Sequence, residues 1–175
     1  NNSVDLTSKV TGILPVANGG TGLSAAASVP TFMLTTTGSH TVTNNSTYTV
    51  PLTVKTIDTH NLLDTSDYTV KFTATTAGTY FITGRVRLLY SPTRLNARLD
   101  VNDSAIVYHG ETTNANVGSG SYQSSAVSMI HTFSNGDELK LKMYFLATAN
   151  QSLYGGDSTS LHGFRISTWG RYGIK

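Results

Sequence analysis

From Thr31 onward, apolar and polar residues alternate in short runs that are separated by turn signals. A period of two places successive side chains on opposite faces of a β-strand, so each run predicts a half-buried strand. The predicted strands cover residues 31–37, 46–50, 52–58, 68–74, 79–90, 95–101, 104–110, 123–133, 138–146 and 161–169. No run has the period of an amphipathic helix. The pattern therefore predicts an all-β fold, either an antiparallel sandwich or a barrel.

Turn residues mark the ends of these runs. Asn102-Asp103 predicts a hairpin between two neighbouring strands, and Asn135-Gly136 is a strong signal for another. Residues 114–121 and 147–156 are predicted to be loops. The longest predicted strand, 79–90, has two distinct faces. One face carries Tyr80, Ile82, Gly84, Val86 and Leu88, and the other carries Phe81, Thr83, Arg85 and Arg87.

The first 30 residues differ from the rest of the chain. They are polar and rich in Gly, Ala and Ser, and they contain one apolar run that is broken by Pro15 and followed by Gly19-Gly20-Thr21-Gly22. So short a segment cannot bury enough surface to order itself. Its apolar residues are expected to pack against copies from neighbouring chains: Val10, Ile13, Leu14 and Val16. We predict a stalk over residues 1–30 and a globular head over residues 31–175.

Composition narrows the class of protein. Of 175 residues, 38% are hydrophobic and only 13% are charged, which favours strands over a disordered chain. Cysteine is absent, which excludes disulfides and thiolate metal sites. Although the net charge is +2, the basic residues are scattered along the sequence and form no cluster typical of a nucleic-acid-binding surface. No apolar run is long enough to span a bilayer. The chain starts without Met, so we expect it to be the C-terminal part of a longer protein.

Candidate catalytic residues are few. Most aspartates occur in turns, where the carboxylate normally accepts hydrogen bonds from nearby backbone. Glu111 and Glu138 are the two glutamates, too few for a convincing carboxylate pair. The five histidines show no metal-ligand spacing. We therefore expect no enzyme, no cofactor and no metal site within one chain. The sequence does not exclude a metal ion on a threefold axis that is held by one residue of each chain.

Arginine and tyrosine residues are the better candidates for binding. Arg85 and Arg87 either pair with an acid from a neighbouring chain or form a basic ring that holds an anion or an acidic sugar. Exposed tyrosines beside Arg and Asn suit a sugar ligand, but tyrosine is also common on strands. The candidate ligand-binding residues are Tyr90, Arg94, Asn96, Tyr108, His109, Glu111, Tyr122 and Tyr154.

Two resemblances extend these predictions. The block VTGILPVANGGTG resembles a segment that recurs in bacteriophage tail fibres just before a globular tip. In the head, KFTATTAGTYFITGRVRL, SSAVSMIHTFSNGDELKLKM and LHGFRIS resemble, in this order, strands of the complement-q and tumour-necrosis-factor superfamily. The second resemblance implies a ten-stranded jelly roll that assembles as a homotrimer. It places Tyr80, Ile82, Val86 and Leu88 inside the sandwich and Phe81, Thr83 and Arg85 toward partner chains.

Together the two resemblances predict a virion fibre tip, located on an extracellular virion fibre. The tip is expected to be a trimeric adhesin without enzymatic activity that binds a host cell-surface glycan or a protein receptor and continues N-terminally into the rest of the fibre. No nucleic acid or membrane insertion is expected. The alternative is a structural head-fibre or decoration protein whose head acts as a trimerisation clamp. A depolymerase that cleaves host polysaccharide is a third hypothesis.

Overall fold

A computed structural model describes residues 29–89, 92–112 and 122–167 of the chain. These residues form eleven strands. Their bounds are β1 Thr31–Val42, β2 Ser46–Thr49, β3 Val54–Asp58, β4 Leu63–Asp64, β5 Thr69–Lys71, β6 Gly78–Leu89, β7 Arg94–Val101, β8 Ser104–Thr112, β9 Tyr122–Phe133, β10 Glu138–Leu146 and β11 Gln151–Ser167. The all-β prediction is confirmed, with one strand more than expected because the two-residue strand β4 forms just before a turn.

The strands form two antiparallel sheets that pack face to face. The five-stranded sheet has the order β3-β1-β11-β6-β9. The six-stranded sheet has the order β4-β5-β10-β7-β8, with β2 also pairing to β10. All of the strand pairs are antiparallel. Neighbours in space are mostly distant in sequence, as in a jelly roll.

The inner faces of the two sheets enclose one hydrophobic core. Strand β6 contributes as predicted, since Tyr80, Ile82, Val86 and Leu88 are all fully buried. At one end of the core, the rings of Phe72 and Phe133 stack with centroids 3.9 Å apart, and Tyr80 meets Phe72 edge-on at 5.0 Å. Burial of the Tyr80 phenol raises its pKa to about 12. Its hydroxyl donates a hydrogen bond to the Thr76 carbonyl.

The two predicted hairpins have different outcomes. Asn102-Asp103 does form a hairpin between β7 and β8, and both residues have positive φ, as the tight two-residue turn requires. The prediction of a hairpin at Asn135-Gly136 is wrong. Gly136 turns the chain with a φ of +91°, but β9 and β10 belong to different sheets. The turn thus carries the chain across the sandwich, and the Gly136 amide donates to the Phe72 carbonyl.

The predicted loop over residues 147–156 is also partly wrong, because β11 begins at Gln151. Its first residues pair with the second half of β1, so that Val42 lies opposite Gln151 and Ser39 opposite Tyr154. A close backbone approach makes this pairing possible. A Cβ added to Gly155 would lie only 1.7 Å from the Gly38 carbonyl oxygen, so only glycine fits there.

Candidate functional site: an uncovered sheet face and an arginine–tyrosine cluster

The outer face of the five-stranded sheet carries large apolar side chains although the other face is already the core. Along one register row, Phe164 of β11 lies beside Phe81 of β6, which lies beside Ile130 of β9. In the neighbouring row, Ile57 of β3 is paired with Met33 of β1. Ile130 is 66% exposed and Phe164 is 46% exposed. We call these five residues the candidate assembly face.

A shallow apolar groove runs across this face. It has a volume of about 270 Å³, and its lining includes Met33, Ile57, Phe81, Thr83, His162 and Phe164. The rings of Phe81 and Phe164 stand 5.8 Å apart at an angle of 45°. The core packing requires β6 to have an inner face, and the strand's alternation then forces Phe81 and Thr83 outward. An exposed patch of this kind marks an interaction surface more often than a plain solvated face.

A second cluster lies on the same sheet face, farther along β6. Arg87 is six residues beyond Phe81, which corresponds to roughly 20 Å along the strand. Its guanidinium carbon lies 4.0 Å from the ring centroid of Tyr122 and 5.6 Å from that of Tyr154. The two tyrosine rings meet edge to face, with centroids 5.1 Å apart. We call Arg87, Tyr122, Tyr154 and Ser158 the arginine–tyrosine cluster, because Ser158 Oγ accepts a hydrogen bond of 3.1 Å from Arg87 Nη1.

An irregular segment of β11 positions this cluster. The β6–β11 pairing breaks after Leu153 and resumes at Ser160, so the residues between them bulge from the ladder. Buried Thr159 closes the bulge, because its hydroxyl donates to the Tyr154 carbonyl at 2.7 Å and accepts from the Arg87 amide at 3.1 Å. The backbone of the bulge is therefore fixed to β6, and it presents Tyr154 and Ser158 to the Arg87 side chain.

The structure distributes the predicted ligand-binding residues over both sheets. Tyr122 and Tyr154 come together, as described above. Arg94 and Asn96 lie on β7 in the six-stranded sheet, where the Arg94 guanidinium is 5.7 Å from the ring centroid of Tyr144. Tyr108, His109 and Glu111 belong to β8 by their backbone, and their side chains lie outside the described part of the structure. Tyr90 also lies outside the described residues, as do Val10, Ile13, Leu14 and Val16 of the predicted stalk.

Phe81, Thr83 and Arg85 all project from the outer face of β6, away from the core, while their contact with partner chains stays a prediction. Sequence analysis did not identify Met33, Ile57, Ile130 and Phe164 as members of the same surface. Strand alternation could have placed Ile130 on the face of β9 that points away from the core residues Val127 and Met129. It could not have shown that β3, β1, β11, β6 and β9 are neighbours, because that order depends on long-range pairing.

The six-stranded sheet carries a charge network that sequence analysis also missed. Asp100 is fully buried, and Arg98 binds it through Nε and Nη2 at 2.6 Å each, while Lys142 Nζ approaches at 2.9 Å. Burial is the largest single influence and raises the pKa of the Asp100 carboxyl, but the hydrogen bonds and positive charges of Arg98 and Lys142 together lower it by more. The pKa therefore lies below its ordinary value. Asp103 joins the network at the surface through Lys140 and Lys142, at 2.9 and 3.2 Å.

Among the described residues, no group of three or more His, Asp or Glu side chains is arranged to hold a metal ion. Within that same part of the chain, no helix is long and apolar enough to cross a membrane.

Comparison with known proteins identifies the architecture. No protein-family model matches the sequence, and no curated protein matches it. Solved structures do match. The globular domain of zebrafish complement 1qA aligns over 79% of this chain and 98% of its own, with a TM-score of 0.55 and 14% identity. Eiger TNF from S. frugiperda aligns over 84% of this chain and 98% of its own, with a TM-score of 0.62 and 10% identity.

Murine APRIL gives a similar result, with a TM-score of 0.57, 13% identity and coverage of 78% of this chain and 98% of its own. The fold is a complement-q/TNF-like jelly roll. At these identities the likeness concerns the fold alone. Within this jelly roll, the candidate assembly face and the arginine–tyrosine cluster both belong to the sheet β3-β1-β11-β6-β9.

Proposed function

We propose that this chain is the tip of a virion fibre, a homotrimeric and non-enzymatic adhesin that binds a host cell-surface glycan during phage adsorption. The observation that carries the proposal is the candidate assembly face. A sheet that already buries one face in its own core presents Phe81, Phe164 and Ile130 on the other. Covering such a face with other copies of the chain removes this apolar surface from water.

The proposed occupants of the assembly face are two further copies of the same chain. In a threefold arrangement, Phe81 and Thr83 lie against a neighbouring copy, and Arg85 lies at the border of the contact. The sequence resemblance to a trimeric superfamily and the jelly-roll fold of the head both support this arrangement. Such an interface would bury more than about 2,000 Å² of surface in total.

The fibre is the proposed setting of the trimer. Residues 1–30 form the base of an inter-chain stalk in this proposal, with Val10, Ile13, Leu14 and Val16 packing around the axis. The resemblance of VTGILPVANGGTG to phage tail-fibre segments supports an extracellular position on the virion. Weak glycan binding at each tip would be strengthened by the three copies of the trimer and by several fibres on each particle.

Competition with adsorption tests the adhesin function. Purified chain is added to the phage that carries it, together with host cells, and free phage are counted. The proposal predicts a dose-dependent loss of adsorption, and a folded trimer that never competes or binds cells contradicts it. Deleting residues 31–175 from the fibre distinguishes the adhesin from the alternative, a structural protein whose head is a trimerisation clamp. An adhesin tip predicts assembled particles that fail to adsorb, whereas a trimerisation clamp predicts misassembled fibres.

A further inference from the structure

We propose that the arginine–tyrosine cluster binds the carboxylate of an acidic sugar. This inference rests on the proposed glycan-binding function and names the class of sugar and the residues that hold it. Sequence analysis already gave Arg87 as one of two arginines that could hold an anion or an acidic sugar, and it named Tyr122 and Tyr154 as candidate ligand-binding residues. Ser158 was not predicted, and neither was the joining of these residues into one cluster within a single chain.

Arg87 is a cation without a carboxylate partner among the described residues. Its hydrogen bond to Ser158 uses one of the five guanidinium N–H groups. No described Asp or Glu oxygen lies within 4.0 Å of its side-chain nitrogens, whereas Lys71, Arg98, Lys140 and Lys142 all have such partners. The Arg87 guanidinium is thus held by rings and a hydroxyl, and it keeps donors for an external anion.

The cluster is organised before any ligand arrives. The guanidinium lies 4.0 Å from the centroid of the Tyr122 ring, and the Thr159 hydrogen bonds fix the bulge that carries Tyr154 and Ser158. A side chain that is already held in its binding geometry loses less conformational entropy when a ligand binds, so the entropic cost of binding is smaller. Even so, the two rings remain accessible, with Tyr122 44% exposed and Tyr154 38% exposed.

A small groove adjoins the cluster and is large enough for part of a sugar. It has a volume of about 220 Å³ and is lined by Gly38, Ser39, Tyr154, Gly155 and Gly156. Glycine leaves backbone groups open to hydrogen-bonding by hydroxyl groups. Tyr154 belongs both to the groove and to the cluster, so the groove lies beside a ring whose centroid is 5.6 Å from the Arg87 guanidinium carbon.

The chemistry of the cluster favours a carboxylate attached to a ring. A guanidinium binds a carboxylate with two parallel hydrogen bonds, and a tyrosine offers an apolar face with a polar tip. One cation beside two aromatic rings suits a ligand with a single negative charge and an apolar ring face, as in a uronic acid. A phosphate group would favour several cations. Asp157 is exposed on the same bulge, so an ion pair between Arg87 and Asp157 of another copy is the competing explanation.

The test is a titration of the intact chain followed by amide chemical shifts in NMR. The probes are methyl glucuronide, methyl glucoside and acetate. The proposal predicts saturable shifts in β6, β9 and β11 with methyl glucuronide, and binding at least tenfold weaker for both methyl glucoside and acetate. Acetate binding as tightly as methyl glucuronide would show that the sugar ring adds nothing, which would overturn the proposal.

Four variants complete the test. Arg87→Gln should weaken glucuronide binding at least tenfold, and Arg87→Lys should restore only part of it, because lysine keeps the charge but lacks the planar fork. Lys71→Gln is the matched control, because it removes one positive charge from the opposite sheet, and it should bind as the parent does. Equal binding by Arg87→Gln and the parent overturns the proposal. So does an absence of glucuronide binding combined with dissociation of the assembly by both Arg87→Gln and Asp157→Asn, which would identify an inter-chain ion pair.

Failure here is distinguishable from failure of the proposed function. Binding of a monosaccharide is measured for each chain and requires neither a trimer nor adsorption to cells. A chain that competes with phage adsorption but does not bind methyl glucuronide contradicts this inference alone. A chain that binds methyl glucuronide through Arg87 but never competes contradicts the adhesin function alone.

Discussion

Phe81 and Phe164 face each other across strands β6 and β11, with ring centroids 5.8 Å apart, on the side of the sheet that faces away from the core. The inner neighbours of Phe81 on the same strand, Tyr80 and Ile82, are fully buried. The sheet therefore has an apolar layer on each of its faces. One layer is covered by the six-stranded sheet, and we propose that other copies of the chain cover the second.

Phe81→Asp is expected to abolish the trimer, because the new carboxylate would be buried in the apolar contact without a partner. Sedimentation velocity should show a folded monomer. Ile106→Asp is the matched control, since Ile106 is 46% exposed on β8 of the opposite sheet, and this variant should remain trimeric. A stable trimer of Phe81→Asp would contradict the proposed facing of β6.

Phe133→Ala is expected to lower the free energy of unfolding by about 3–5 kcal/mol, because it removes a ring that stacks on Phe72 at 3.9 Å inside the core. Phe133→Leu retains much of the volume and should cost less than about 1.5 kcal/mol. Urea unfolding, followed by circular dichroism, measures both variants. Equal losses for the two would contradict this prediction, because they would trace the loss to the missing ring stack and not to the buried volume that leucine keeps.

Asp100→Asn is expected to destabilise the head by about 3 kcal/mol at neutral pH, because Arg98 and Lys142 lose a buried partner. Asp103→Asn alters the exposed end of the same network and should cost less than about 1 kcal/mol.

The same carboxyl predicts a dependence on pH. Because the pKa of Asp100 is lowered in the folded chain, its ion pairs contribute stability above the unfolded value near 3.9 and lose it as the pH falls through the folded value. Urea midpoints measured from pH 7 down to pH 2.5 should therefore fall more steeply for the parent than for Asp100→Asn. Parallel curves would contradict this assignment.

The fold was predictable from the sequence because strand alternation is a local property. Spacing put Tyr80, Ile82, Val86 and Leu88 on one face of β6, and the family resemblance correctly assigned that face to the core. Turn chemistry was less informative. Asn135-Gly136 specifies that the chain reverses, but not whether the next strand pairs with the previous one or crosses to the other sheet. Residues 151–156 show no alternation, and their pairing with β1 depends on contacts more than 100 residues away in sequence.

The candidate site was predictable only in part. Tyr122 and Tyr154 were selected for their residue type, and the register of β6, β9 and β11 brings them together around Arg87. Arg94 and Asn96 were selected because they are near other loop residues in sequence, but β7 belongs to the opposite sheet. Proximity along the chain does not determine on which sheet a strand lies, and that choice separates these residues from the arginine–tyrosine cluster.

Gly155→Ala is expected to disrupt the pairing of β1 with β11, because its Cβ would overlap the Gly38 carbonyl oxygen. Gly38→Ala is the informative comparison. A Cβ at Gly38 would have open space around it, but the backbone there has a φ of +58°. The expected loss of folding free energy is therefore only about 1–2 kcal/mol, from left-handed backbone strain. Unfolding midpoints should show a larger loss for Gly155→Ala, and a larger loss for Gly38→Ala would contradict the close approach.

Sedimentation equilibrium of the unmodified chain tests the central claim most directly, since the assembly face is the observation on which the proposed function depends. A single chain has a mass of 18.7 kDa. We predict one species with three times this mass, unchanged over the concentration range studied. A species of single-chain mass would contradict the account, because Phe81, Phe164 and Ile130 would then be left open to water in the working protein.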